Sequence, residues 1–471
     1  MPLVSPVPLI PADELGAVHF IAIGGAGMSA VAALYADLGI TVTGSDQADS
    51  PTLADLRERG IEVHVGHDPS HLEGADTVVV SSAVRDSNVE LAEARRRGLR
   101  VWHRSAALGA LMLGHRGVAV TGTHGKTTTS AMIATLLAEC GADPSWVVGS
   151  PLTASGTSSH AGTGEAFVIE ADESDGSFLQ YPASIVVVTN VETDHLDNWG
   201  TPEAYAAGFR ALALRHGVET VVVGADDPGT RALARAARAA GKRVLTVGES
   251  TDADIRLDGL SLDRSGGHVR LVASDDEGEL SLRVPGRYNL LNAGLAYTVG
   301  RLLGLDGQSL RAAAPAFRGT HRRFQLVGEA AGITIVDDYA HHPTEVAATL
   351  SAARVYAGDN RVVACFQPHL FSRTLEFAAE FGAALARADV VVVLDVYPAR
   401  EDPIPGVTGR LVADAVAAAG TEVHYTEAVA DAPALLATLV RDGDLVVTLG
   451  AGDVTRVGPR LEQVLDEEGR A

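Results

Sequence analysis

Twelve residues, Val118–Thr129 (V-A-V-T-G-T-H-G-K-T-T-T), constrain the fold of this chain more than any others. A short apolar strand runs into a glycine-rich turn, then a lysine, then three threonines leading into a helix expected over Ser130–Cys140. That arrangement aims backbone N–H groups, the positive end of a helix dipole and one ammonium at a single point, which suits a polyphosphate. Lys126 and Lys242 are the only two lysines; apart from histidine, every other basic residue is arginine. Lysine here supplies a compact point charge where arginine would supply a planar fork. The spacing departs from the strict nucleotide-loop pattern, because Val120 stands where its first glycine would be.

A length of 471 residues exceeds what one core holds and suggests about three domains of roughly 150 residues each. Val/Ile-rich runs alternate with Ala/Leu/Arg-rich stretches, which indicates α/β architecture with mostly parallel sheets. Strands are expected in a first block near Val18–Ile23, Ile40–Thr43, Glu62–Val65, Thr77–Ser81 and Arg100–Trp102. A second block has them near Val118–Val120, Phe167–Glu170, Ile185–Val188, Val221–Val223 and Val244–Val247. Asp254–Val284 alternates apolar and polar residues and reads as an antiparallel meander, followed by a helix over Asn292–Leu303 that Gly304 ends. A third block begins near His321–Gly328, with strands near Ile333–Val336, Val362–Phe366, Val390–Leu394, Thr421–Tyr425 and Leu445–Leu449.

The net charge of −23 argues against a nucleic-acid or anionic-membrane partner, so anionic substrates need local arginines and helix N-termini. Two cysteines are too few for a disulfide framework or a cysteine-built zinc site and suit a reducing cytosol. The proline-rich Met1–Asp13 lacks the features of a signal peptide, and no run of about 18 apolar residues occurs, so a cytoplasmic enzyme is expected.

Chemistry-bearing residues gather at strand ends. The first strand ends in Gly24-Gly25-Ala26-Gly27-Met28-Ser29-Ala30, which fits the dinucleotide pattern, with Asp46 close to its acidic position. Physically this loop reports a phosphate on a helix N-terminus, so NAD or any other nucleotide diphosphate satisfies it. Phe167–Glu170 runs into Ala171-Asp172-Glu173-Ser174-Asp175, a set of carboxylates suited to Mg²⁺ beside a phosphate loop. Ile185–Val188 leads to His195, which as neutral imidazole suits a second cation. In the third block the strand ends carry Asp337-Asp338-Tyr339-Ala340-His341-His342, Gln367-Pro368-His369 through Arg373, Asp395 through Glu401, and Gly450 through Asp453. The histidines there lack zinc-site spacing.

With these residues in view, the chain resembles the Mur ligase family along nearly its whole length. The resemblance runs through G-G-A-G-M-S, S-D at Ser45, S-S-A at Ser81, T-G-T-H-G-K-T-T-T, E-A-D-E-S-D-G-S-F and T-N-V-E-T-D-H-L-D. It continues through P-G-R-Y-N-L-L-N-A, R-R-F-Q at Arg322, D-D-Y-A-H-H-P, F-Q-P-H and D-V-Y-P-A-R-E. It implies three α/β domains: a Rossmann-like UDP-sugar domain (1–115), a central P-loop-type ATPase sheet with a small antiparallel meander (116–321), and a Rossmann-like amino-acid domain (322–471). It further implies an ATP-dependent ligase that joins L-alanine to UDP-N-acetylmuramate, working as a monomer or weak homodimer.

By the same resemblance, Gly122, Thr123, His124, Gly125, Lys126, Thr127 and Thr128 wrap the ATP phosphates. Thr127 and Glu170 serve one Mg²⁺, and Glu170 and His195 a second, with Mn²⁺ as an alternative ion. Asn292 reaches the adenine, and Arg322 and Asp338 contact the nucleotide. Tyr339, His341, His369 and Arg373 frame the amino acid, and His369 and Arg373 join Lys126, Glu170 and His195 as catalytic residues. Gly24, Gly25, Ala26, Gly27, Met28, Ser29, Asp46 and Ser82 hold the UDP-sugar.

Tyr288, Trp199 and Leu370 depart from the family's usual histidine, tyrosine and arginine. Ligases adding later amino acids carry a carbamylated lysine shortly after the histidine equivalent to His195. No lysine lies between His195 and Lys242, which favours the alanine-adding branch. The alternatives are a recycling ligase joining a whole peptide to the same sugar, a P-loop motor or switch ATPase, and an NAD-dependent oxidoreductase built on Gly25–Ala30.

Overall fold

Parallel strands covered on both faces must be apolar throughout, and the valine runs of this chain form such strands in three sheets. The computed structural model describes residues 3–399 and 401–468; Arg400, in the D-V-Y-P-A-R-E motif, lies outside them. The chain forms two compact units. The first runs to Asp258 and includes Arg270–Leu280 and Leu291–Ala316; the second comprises Gly259–Val269, Ser281–Leu290 and the chain from Phe317.

The first sheet is five-stranded: β1 (Val18–Ile21), β2 (Val42–Asp46), β3 (Glu62–Val65), β4 (Thr77–Val80) and β5 (Arg100–His103). Its order is β3-β2-β1-β4-β5 and every pairing is parallel. The order reverses at β1, so the glycine loop after β1 leaves the sheet at its switch point, where such folds bind ligands. β1 stops at Ile21, two residues before the expected end, because Ala22 takes a left-handed φ of 62°. Ile40, expected to start a strand, closes the preceding helix instead: its N–H bonds Tyr35 O around Gly39, whose φ is 77°.

The central sheet contains β6 (Arg116–Thr121), β7 (Ser145–Val147), β8 (Ser159–His160), β9 (Ala166–Glu170), β10 (Ile185–Val188), β11 (Thr220–Gly224), β12 (Arg243–Gly248), β13 (Ile255–Asp263), β14 (Gly266–Val272) and β15 (Glu277–Leu282). The order is β15-β14-β13-β12-β11-β10-β6-β9-β7-β8. β6 lies between β9 and β10 in parallel, with Val120 opposite Glu170 and Thr121 opposite Val188. That register delivers the phosphate-type loop, the acidic run and the segment to His195 side by side at one sheet edge. The helix after β6 spans Lys126–Glu139, four residues earlier than expected, because Gly125 (φ 82°) caps it and the threonines form its first turn. The later helix starts at Arg287 instead of Asn292 and ends before Gly304, whose φ is 89°.

The third sheet comprises β16 (Gln325–Ala330), β17 (Ile333–Asp338), β18 (Val362–Phe366), β19 (Val390–Val393), β20 (Glu422–Tyr425) and β21 (Leu445–Leu449) in the order β16-β17-β21-β18-β19-β20. Only β16 is antiparallel to its neighbour. Asp338 and Phe366 both lie opposite Leu449, so the polar strand ends of the third block again share one edge. The architecture is thus three α/β domains, Rossmann-like at either end of the chain with an ATPase-like sheet between. The two cysteines are unpaired, and among the described residues no helix is long and apolar enough to cross a membrane.

The acidic run rests on an aromatic cluster. Phe178, Trp199, Tyr205 and Phe209 meet edge to face, with Phe209 centred 5.6 Å from Phe178 and 5.1 Å from Tyr205. Gly208 is required here, since a Cβ on it would fall 2.4 Å from the Trp199 ring. Phe209 is fully enclosed, and its truncation leaves a cavity. Phe209→Ala is expected to cost roughly 3–5 kcal/mol, read as a lowered urea midpoint; an unchanged midpoint would contradict this packing.

Candidate functional site

The loop after β6 is shaped by two glycines that no other residue replaces. Gly122 has φ 130°, and a Cβ on it would lie 2.0 Å from Thr189 Oγ1; Gly125 holds the left-handed cap. Asn190 fastens the turn from the neighbouring strand end: its Oδ1 accepts from His124 N (2.9 Å) and its Nδ2 donates to His124 O (3.0 Å). Thr123 Oγ1 donates to Glu192 O (2.8 Å), and the His124 ring lies 3.0 Å from the Glu192 carboxylate. The first turn of the following helix then presents its N–H groups, with Thr127 and Thr128 buried beside them.

Lys126 folds back over this turn. Its ammonium donates to Gly122 O (2.8 Å) and Thr123 O (3.1 Å) and meets both Glu173 oxygens, at 3.0 and 2.8 Å. Burial alone would lower the lysine's pKa, but the carboxylates of Glu173, Asp172 and Glu170 outweigh it and hold the group protonated. Burial pushes Glu173 up to about 7 even with the ammonium beside it. Tyr205 OH donates to Glu173 Oε1 (3.2 Å) and the Trp199 indole N–H to its backbone oxygen (3.0 Å). His195, at a left-handed φ of 54°, stands 3.9 Å from Glu173 Oε1 and 3.6 Å from Asp194.

Glu173 therefore joins Lys126 and His195 in this structure, a role the sequence reading did not give it. The signal was present in E-A-D-E-S-D, but spacing alone does not say which acid turns toward the lysine. Glu170 accepts from Gly149 N (2.7 Å) and acts on Lys126 through its charge. Asn292 lies against the loop, its Oδ1 3.0 Å from where a Gly125 Cβ would be, and its buried amide nitrogen has no hydrogen-bond partner among the described residues. An orphaned buried donor facing a phosphate-type loop fits a ligand that supplies an acceptor.

At the first sheet, Asp46 Oδ2 accepts from Gly24 N (2.9 Å), tying β2 to the glycine loop. Met28 N and Ser29 N bond Gly25 O, and the Met28 side chain is buried in the core, leaving the loop backbone at Gly25 and Ala26 exposed. Behind Asp46, Ser45 donates to the fully buried Glu90 (2.5 Å), whose carboxylate also meets His67 (3.0 Å) and His71 (2.7 Å). Burial would raise Glu90, but His19, Ser45 and His71 bring it down to about 2. Ser82 Oγ donates to Asp175 Oδ2 (2.6 Å) and lies 3.1 Å from His103 Nε2, linking the first sheet to the acidic run. His103 Nδ1 accepts from Ser105 N (3.2 Å), so its proton sits on Nε2 and points to Ser82. Burial lowers its pKa to about 4.

The second unit gathers a cluster of rings at the ends of its strands. His341 lies 5.1 Å from the Tyr339 ring and 5.8 Å from His369, which stacks on Tyr397 at 5.9 Å. Tyr397 was not singled out from sequence; it is placed by Leu370 N bonding Tyr397 O (3.0 Å). His341 donates through Nδ1 to Tyr339 O, and burial, with the Arg373 and His369 charges, lowers its pKa to about 3. Arg373 is buried. Asp338 accepts from Phe324 N and Ala340 N, and burial raises it to about 6. Arg322 is fixed to Asp337 (3.2 Å) and Gly450 O (2.6 Å). Tyr288 packs on this unit's core.

Family models match three consecutive stretches: "Mur ligase family, catalytic domain" over residues 17–116, "Mur ligase middle domain" over 120–300, and "Mur ligase, glutamate ligase domain" over 322–452. The UDP-N-acetylmuramate–L-alanine ligase of Cutibacterium acnes is 61% identical, with 100% of each chain covered. That of Kineococcus radiotolerans is 54% identical over 96% of this chain and 97% of its own. The solved UDP-N-acetylmuramate–alanine ligase of Thermotoga maritima superposes with a TM-score of 0.82 at 29% identity, covering 96% of this chain and 99% of its own. A murein peptide ligase from Psychrobacter arcticus shares the fold, with a TM-score of 0.71 at 24% identity over 96% and 99% of the two chains.

The depressed pKa of His103 has a signed consequence. On acidification below about 6.5 the unfolded chain takes up a proton that the folded chain refuses until about 4, so stability falls as pH falls. His103→Asn keeps an acceptor for Ser105 N and removes the titration. Between pH 7 and pH 5 the variant is expected to lose about 2 kcal/mol less than the parent, measured by urea unfolding at both pH values; parallel losses would contradict the assignment.

Proposed function

The chain belongs to the Mur ligase family, and from that premise we propose that it is an ATP-dependent ligase joining L-alanine to UDP-N-acetylmuramate, in peptidoglycan precursor synthesis. The observation that carries this reading is Lys126 held protonated over a glycine turn at a helix N-terminus, beside the acidic end of β9. The alanine-ligase relatives at 54–61% identity favour alanine over a whole peptide as the added group.

A carboxylate resists amine attack because its oxyanion is a poor leaving group. Transfer of the γ-phosphoryl group of ATP to the lactyl carboxylate gives an acyl phosphate and ADP. The amine of L-alanine then attacks the acyl carbon, and phosphate leaves with the bonding electrons. In this reading the turn Gly122–Gly125 and the first helical turn at Thr127 and Thr128 hold the phosphates, and Lys126 offsets charge on the transferring group. Asn292, with its unpartnered amide, contributes to the nucleotide site; Arg322 and Asp338 are assigned to the nucleotide by the family resemblance alone.

The donors around Lys126 are oxygen-rich, and His195 adds one imidazole, a set that fits Mg²⁺ or Mn²⁺. Thr127, Glu170 and His195 would hold the ions, two by the family resemblance; bound there, a divalent cation withdraws charge from phosphate oxygens. The ring-lined edge of Tyr339, His341 and His369, with Arg373, is assigned to the amino acid. The glycine loop Gly24–Ser29, Asp46 and Ser82 are assigned to the UDP-sugar. The domain boundaries follow as 1–115, 116–321 and 322–471, and the reaction belongs in the cytoplasm with the chain as monomer or weak homodimer.

Phosphate release by the purified chain is expected to require ATP, UDP-N-acetylmuramate and L-alanine together. Release independent of the amino acid would count for a motor-type ATPase, and release requiring a peptide for the recycling reaction. Lys126→Ala is expected to lower turnover at least roughly 100- to 1,000-fold with its circular dichroism unchanged, since Glu173, already shifted to about 7, protonates when its partner is lost. Near-normal turnover would refute the assignment.

A further inference from the structure

Arg104 is left over once the groups above are paired. It opens the helix Arg104–Leu111 at the end of β5. A Cβ built on Gly27 would fall 1.8 Å from Arg104 Nη1 and 3.0 Å from its Cζ, so the guanidinium occupies the space a side chain there would need. Gly27 thus serves a second purpose besides close backbone approach: it admits an arginine to the glycine loop.

The half-buried Arg104 makes no hydrogen bond or ion pair among the described residues. Its charge reaches Asp172 without an ion pair to it. Partly desolvating a cation without an anionic partner is unfavourable, so an arginine held this way is matched to an anion from outside. The loop Gly24–Ser29 carries no basic residue of its own. A helix N-terminus supplies roughly half a positive charge, well short of what a diphosphate carries.

We propose that Arg104 is a binding residue for the diphosphate of the uridine nucleotide sugar, its planar fork taking phosphate oxygens that the loop N–H groups leave uncovered. This rests on the glycine loop being the nucleotide-sugar site. The phosphates of ATP belong to the loop at Lys126, so Arg104 discriminates between the two nucleotides.

The test is inhibition and initial-rate kinetics on the full chain. Arg104→Gln is expected to raise the KM for UDP-N-acetylmuramate and the inhibition constant of UDP by roughly 10- to 100-fold, with the KM for ATP unchanged and a shallower salt dependence. Arg104→Lys keeps the charge but loses the fork, and is expected to fall between the two. Unchanged UDP inhibition in the Gln variant, or an equal loss for ATP, would overturn the proposal and leave Arg104 a countercharge to Asp172. If the Gln variant does not fold, the Lys variant decides: weaker UDP inhibition supports the proposal and unchanged inhibition overturns it. A parent chain that binds neither UDP nor UDP-N-acetylmuramate would overturn the reading of the loop and this proposal with it.

Discussion

The ion pair between Lys126 and Glu173 is the constraint around which the first unit is organised. Two charges withdrawn from water cost several kcal/mol each unless their geometry and remaining hydrogen bonds repay it. Here the ammonium is also held by two loop carbonyls, and the carboxylate by Tyr205. Such a pair adds little to stability, and its placement depends on the aromatic cluster beneath it. What it supplies is placement: a cation fixed above a turn whose N–H groups already face the same way.

The parallel register makes that placement possible. β6, β9 and β10 are neighbours whose ends lie within one residue of one another, so three loops distant in sequence leave the sheet together. The same geometry recurs in the third sheet, where β17, β18 and β21 end at one level. Polar loops collect there because the strands themselves are buried on both faces and can carry no chemistry.

Most of this was legible because an all-apolar run of four to six residues admits few readings between glycine-rich turns. Strands such as Ile185–Val188 and Val362–Phe366 stand where that logic puts them. The strands it passed over are of another kind. β7 and β8 have three and two residues, and β16 is a polar antiparallel edge with an irregular register near Gly328. Element ends moved where a single backbone angle decided them, at Ala22, Gly39 and Gly125. In the site, residue types on a loop were readable but their aim was not. Glu173 and Tyr397 each acquire their partner from a segment remote in sequence, Arg104 reaches the glycine loop from the end of β5, and the Glu90 carboxylate gathers three histidines by folding alone.

Trp199 offers a use beyond packing. It is one of three tryptophans, and its indole N–H is bound to the backbone of the acid that grips Lys126. Any event that repolarises that acid alters the electric field across the indole ring. The chain therefore carries an optical group of its own at the point where the phosphate loop and the acidic run meet, one whose emission would follow a change of charge on that acid without an added label.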